Sequence, residues 1–358
     1  MAHRRDFLKL SSAAAAAGLG RLGAAPAQVI DEYDPGNIKL AHRVGVRRVS
    51  DEELLFLRQI GMRFIHAEFG GEATPLEVIR STQERLARFG IRIWTGVHDS
   101  YRSLKVQLGQ PGRDQDIETF QNFLRDCGRA GIPVAKIDFH PANTYTTAMI
   151  QSARGYRARE FKLADFRNQV EKQRFEREYP ADEIWAHYTY FIKAVLPVAE
   201  KANVRLALHP DDPPIAKMNG VAKVFVHYDG YRRADEIAGR SPHFGLTFCV
   251  GTWSEGGDKM GKDVFQIIED FGGRNKIFTI HFRNVTGPLP DFSETFPDDG
   301  YQDMYRVMKA LRKVKFSGSM VPDHVPELVG DTGQRRAGTA YCIAYMRALL
   351  RRANEEVG

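Results

Sequence analysis

The sequence predicts a (β/α)8 barrel, and three observations lead there. Eight short apolar runs rich in β-branched residues recur along the 358 residues. Longer stretches with helical apolar spacing separate them. No Gly-rich phosphate-binding fingerprint follows the first run, which argues against a doubly wound open sheet, the other fold that alternates strands with helices.

The elements follow in order. Residues 1–27 stand apart from the fold: Arg4 and Arg5 precede Phe7, Leu8 and Lys9, then comes an Ala-rich run, and Ala25–Ala27 offer small residues before Gln28. This pattern resembles a twin-arginine export signal, so the expected location is the periplasm. Loss of the segment removes four basic residues and one acidic residue, lowering the net charge from +6 to about +3. The barrel is expected over 36–354. Its strands are read at 38–44, 63–69, 91–97 and 133–139, then at 204–209, 243–250, 276–282 and 317–323. Ser50 and Thr74 are read as N-caps of the first two helices; Gly61, Gly90 and Gly131 close helices before the next strand. One stretch breaks the alternation: residues 140–182, after strand four, form an expected insertion that faces substrate or acts as a lid, ending in a charged helical stretch.

Composition narrows the function. Hydrophobic content of 43% and charged content of 27% are those of a soluble globular chain. No apolar stretch reaches the roughly 20 residues of a spanning helix. The basic residues are spread out and not interleaved with aromatics, so nucleic acid is not the expected partner. Three cysteines, an odd number, argue against a disulfide framework in an exported protein and leave at least one thiol free.

The chemistry gathers at strand ends. His209 ends strand five, Cys249 strand six, His281 strand seven, and Asp323, followed by His324, strand eight. The spacings of 40, 32 and 42 residues are each about one βα unit. Neighbouring strands would bring the four side chains to the C-terminal rim, where barrel enzymes do their chemistry. Any one of them reads most simply as a structural residue; four at consecutive strand ends point to a divalent metal ion. Nitrogen and sulfur donors suit zinc or iron, and the carboxylate leaves manganese open.

These residues also carry a resemblance. "LHPDDPP" (208–214), "GLTFCVGTWSEGGD" (245–258), "IHFRNV" (280–285) and "VPDH" (321–324) resemble the mannonate dehydratase family, as does the run 109–134 leading into strand four. The resemblance implies a metal-dependent barrel that dehydrates D-mannonate to 2-keto-3-deoxy-D-gluconate, using Mn2+ or Fe2+. It implies His209, Cys249, His281 and Asp323 as ligands of one ion and His324 as an acid/base residue. Arg283, two residues after His281 on the same strand, would face the same way and could grip a carboxylate. The family's second catalytic group is a tyrosine in a "GY" pair; here that stretch reads "AGTAYCIAY" (337–345), with Thr339 in its place. Tyr341 is the candidate substitute, the alternative being that the role is absent. His98 and Asn143 are further candidates for touching substrate, with His66, Glu68, Asp99 and His140 on the same rim. Asp211 and Asp212 could orient ligands, though loop carboxylates are ordinarily solvated; Trp94 and Trp253 read as packing residues.

The partner expected is therefore a small sugar acid, and a homo-oligomer is compatible with the sequence. Two other functions fit the same barrel: a metal-dependent sugar isomerase or epimerase, against which Cys249 counts, and a non-catalytic periplasmic sugar-acid-binding protein.

Overall fold

The computed structural model describes residues 34–141, 145–170, 175, 177–331 and 333–357. The twin-arginine segment and Asn143 lie outside the described residues. Eight parallel strands close into a barrel: β1 (Lys39–Gly45), β2 (Phe64–Glu68), β3 (Arg92–Val97), β4 (Val134–Ile137), β5 (Arg205–Leu208), β6 (Phe244–Cys249), β7 (Ile277–His281) and β8 (Ser319–Val321). Seven lie within their expected runs, and β1 extends one residue past its run, to Gly45. Both faces of these strands are covered, so they read as continuous apolar runs and not as alternating ones.

The outer ring consists of α1 (Asp51–Gln59), α2 (Leu76–Ala87), α3 (Arg113–Arg129), α4 (Ala181–Lys201), α5 (Tyr228–Ile237), α6 (Val264–Ile267), α7 (Met304–Lys313) and α8 (Arg336–Val357). The Ser50 side chain accepts from the Glu53 amide, as an N-cap should. Thr74 does not cap α2. Pro75 takes that position with φ −68°, and the Thr74 hydroxyl donates to the Glu72 carbonyl at 2.9 Å while accepting from Arg47 at 3.0 Å. Gly61, at φ +76°, makes the turn out of α1 in the left-handed region.

The barrel interior is layered. At the N-terminal end the Lys39 ammonium donates to the carbonyls of Pro35, Asn37 and Ser317 and lies over Trp94, with Arg205 over Phe278. Above this floor His66, Thr279 and Ser319 share hydrogen bonds of 2.7–3.3 Å, with the Thr95 hydroxyl 3.4 Å from Ser319. The C-terminal mouth carries the titratable groups.

Residues after β4 fold back as an antiparallel hairpin, Ala148–Gln151 against Arg157–Lys162. The hairpin pairs with a strand that follows β7, Asp291–Thr295, which in turn pairs with Asn284–Val285. The result is a four-stranded outer sheet built from two distant segments. Phe161, Phe166, Ile215, Met218, Val285 and Phe292 form the apolar cluster that fixes it. The charged stretch expected to be helical through 182 is helical at Leu163–Val170; residues 171–174 and 176 lie outside the described residues.

Candidate metal centre and acid/base site

Strand pairing brings the expected ligands together. Cys249 and His281 are partners in the β6–β7 register. One ligand atom each from His209, Cys249 and His281 lies within 4.8 Å of the others, and all three residues are buried. The Asp323 carboxylate adds a fourth donor, 3.3 Å from His281 Nδ1.

The protonation pattern suits a cation. His209 Nδ1 lies 2.7 Å from the Pro210 carbonyl and so carries its hydrogen there, which leaves a lone pair on Nε2. That lone pair meets His281 Nδ1 at 3.1 Å. Burial, reinforced by the charges of Lys136 and His281, holds the His209 imidazole neutral well below its usual range. Burial likewise brings His281 down to about 4. Asp323 is opposed by burial, but His281, His324 and Arg283 outweigh it and keep the carboxylate ionised. Burial pushes the Cys249 thiol up to about 12. Its sulfur nonetheless accepts from the Thr252 hydroxyl at 3.2 Å and the Thr252 amide at 3.4 Å, with Arg283 Nη2 at 3.6 Å. Donors aimed at a sulfur favour its thiolate, which a bound metal would complete. Neutral imidazoles, an ionised carboxylate and this thiol fit one divalent transition metal.

His324 follows Asp323 with φ +48°, and the turn aims its ring at the outer sheet. Its Nδ1 lies 2.6 Å from Glu294 Oε1, while Nε2 lies 3.5 Å from Arg159 Nη1 and 3.8 Å from Asp323 Oδ2. Ser293 pairs with Glu160, so the next residues in register, Glu294 and Arg159, face each other across the sheet. Neither was visible as a site residue in the sequence, because pairing of two distant segments puts them beside His324.

Several expectations are corrected. Arg283 is fully buried and its guanidinium is committed to protein groups: Glu255, Asp212 at 3.0 Å, Asp323 at 3.4 Å and Glu294 at 3.5 Å. It ties together four carboxylates that come from different loops and strands. His98 caps the turn at Asp99–Arg102; Nδ1 lies 2.9 Å from Ser100 Oγ and Nε2 3.0 Å from the Glu72 carbonyl, so both ring nitrogens are occupied. Tyr341 is 37% exposed, donates to Asp298 at 2.5 Å and accepts from Arg154 at 3.2 Å; its described partners lie outside the His324 cluster. Thr339 is buried on the opposite side of the same helix turn. Asp211 and Asp212 are buried, not solvated: Asp211 accepts from the Phe225 amide at 2.9 Å, and Asp212 meets Arg283. His66 lies deeper than the rim, in the hydroxyl layer. Glu68 pairs with Arg43 at 2.6 Å, and Arg43 also reaches Asp323 at 3.2 Å.

Sequence reasoning also passed over Lys136 on β4 and Asp138 directly after it. The available signal was a pair of charges two residues apart inside the apolar run "PVAKIDF", where alternate side chains enter the barrel.

Comparison with known proteins agrees with this geometry. The model of the D-mannonate dehydratase (UxuA) family matches residues 150–356. A mannonate dehydratase of Streptococcus pneumoniae is 29% identical over 289 residues, 73% of this chain and 77% of that protein. The crystal structure of a mannonate dehydratase from Streptococcus suis superposes with a TM-score of 0.79 at 28% identity, covering 90% of this chain and 96% of that one. A xylose isomerase-like barrel from Mycobacterium smegmatis reaches a TM-score of 0.59 at 11% identity, a likeness of fold alone.

Proposed function

The chain belongs to the D-mannonate dehydratase (UxuA) family of hydro-lyases, and on that premise we propose that it converts D-mannonate to 2-keto-3-deoxy-D-gluconate and water. In this reading His209, Cys249, His281 and Asp323 hold one divalent ion, manganese or ferrous iron. The observation that carries it is the His324–Glu294 pair beside this ligand cluster.

The C2 proton of an aldonate is very weakly acidic, and hydroxide is a poor leaving group. A metal ion bound by the four residues would stabilise the negative charge that develops beside the substrate carboxylate. The protein's own groups handle the proton. Glu294 accepts from Nδ1 of His324, which leaves the lone pair on Nε2 to take a proton. His324 thus serves one of the two proton transfers. Arg159, at the same nitrogen, adds positive charge on the side from which an anion would enter.

The test is direct. Purified protein loaded with manganese or ferrous iron, given D-mannonate and a panel of other aldonates, should form a 2-keto-3-deoxy acid. Formation of an isomeric sugar would favour an isomerase or epimerase. Full metal content with no product from any aldonate would leave a sugar-acid-binding protein.

The same reading extends to location. Arg4, Arg5 and the run to Lys9 support export by the twin-arginine route to the periplasm. Arg4→Lys with Arg5→Lys should retain the protein in the cytoplasm, and unchanged periplasmic recovery would overturn that.

A further inference from the structure

Four lysines are buried among the described residues: Lys39, Lys136, Lys223 and Lys276. Three have their ammonium satisfied. Lys39 donates to three carbonyls. Lys223 meets the Asp212 and Pro213 carbonyls at 3.3 Å, with Asp211 at 3.8 Å. Lys276 bonds to Asp235 at 3.0 Å and to the carbonyls of Ser241 and Phe244. Lys136 is 6% exposed and has neither a hydrogen bond nor an ion pair with any described residue. The stem is buried but the ammonium is not among the sealed side-chain atoms without a partner, so Nζ opens onto the barrel mouth, where a ligand could meet it.

Its place in the barrel says which ligand. Phe139 packs against Tyr188 and Phe191 of α4, so its parity faces outward. Val134, two residues before Lys136, packs with Ala207 and Phe278, and Lys136 is the register partner of Ala207. Lys136 therefore points into the barrel, one layer below His209, with a stem long enough to reach the mouth. Its charge is felt by His66 and Glu68 on one side and by His209 and His281 on the other. Burial, with Arg43 and Arg102 as cationic neighbours, brings its ammonium down to about 8, against the pull of Asp138 and Asp323.

We propose that Lys136 anchors the carboxylate of the sugar-acid substrate inside the barrel, beside the metal-binding cluster. The inference rests on the dehydratase reading, because the carboxylate is the single charge of an aldonate. The bound carboxylate supplies the direct partner that no described residue gives the Lys136 ammonium. Lys136 then acts by holding substrate and takes no part in the proton transfers.

Lys136→Met keeps the length of the side chain and removes the charge. In the metal-loaded enzyme, KM for D-mannonate should rise about 10–100-fold, the loss of a charged hydrogen bond, with kcat changed only a few-fold. Metal content should be unchanged. The substrate-free variant should melt no lower than the parent, since Lys136 has no hydrogen bond or ion pair with a described residue to lose. Lys136→Arg should restore part of the affinity. An unchanged KM overturns the proposal. So does a collapse of kcat at constant KM, which would make Lys136 a proton-transfer group. A fall in melting temperature or metal content would make it structural and also overturns it. Equilibrium binding of D-mannonate to the same proteins keeps the two readings apart. A parent enzyme that binds D-mannonate but turns over no aldonate defeats the dehydratase reading; equal binding by parent and Lys136→Met defeats the anchor.

Discussion

Cys249 changes character with what surrounds it. Without metal, burial pushes the thiol up to about 12, so it keeps its proton at neutral pH. A ligating sulfur must lose that proton, while His209 and His281 are already neutral and Asp323 already ionised. Metal uptake should therefore release about one proton per ion, and affinity should strengthen roughly tenfold per pH unit between about 6 and 9. Calorimetry in buffers of different ionisation enthalpy measures this directly; proton-independent binding would exclude the sulfur. His209→Ala or Cys249→Ser should each lower bound metal well below one per chain by elemental analysis. His324 stands outside that set. His324→Asn should keep the metal and lose about 10²–10⁴-fold in turnover. Glu294→Gln, which keeps a side chain of the same size but removes the charge facing Nδ1, should cost about 10–100-fold with the metal retained. Tyr341→Phe should leave kcat nearly unchanged, because its hydroxyl serves Asp298 and Arg154 at the surface. The sequence exposed the metal-binding set because each member ends a strand. The protein partners of Arg283 and His98 were not legible, because spacing reports which way a side chain starts and not which groups meet its polar atoms.

The elements differ in how plainly the sequence announces them. Barrel strands lie between a packed interior and a ring of helices, so burial on both sides forces apolar runs that can be read directly. Ser50 was legible for a local reason, since its hydroxyl accepts from the Glu53 amide three residues on with no distant group competing. Ser50→Ala should cost about 1 kcal/mol by chemical denaturation. Thr74 failed the same reading because Arg47, 27 residues earlier, competes for its oxygen. The outer hairpin was hidden for a related reason. Arg157, Arg159 and Glu160 give it the look of a solvated loop, and its partner strand begins at Asp291. Arg159→Ala should lower turnover of D-mannonate while metal content and melting temperature hold, as expected if the hairpin forms a wall of the site. A parallel loss of metal would assign Arg159 to the ligand cluster.

At the scale of the whole molecule, closure of eight strands converts spacings of 32–42 residues into donors a few ångströms apart. A site assembled from four strands couples metal binding to global stability. Chelation from a hundredfold excess over Kd should remove about 2.7 kcal/mol and lower the melting temperature by roughly 4 °C. A melting curve indifferent to chelator would place the ion outside the barrel. The other end of the barrel has a consequence of its own. Lys39, pinned by three carbonyls over Trp94, and Arg205 over Phe278 plug the base, and the layer of His66, Thr95, Thr279 and Ser319 lies above them. With the base filled by these described side chains, traffic should be single-file: the keto acid leaves by the doorway through which the next aldonate arrives. Steady-state kinetics should show product inhibition that is competitive with substrate, and turnover at high flux should slow with solvent viscosity as departure clears the doorway.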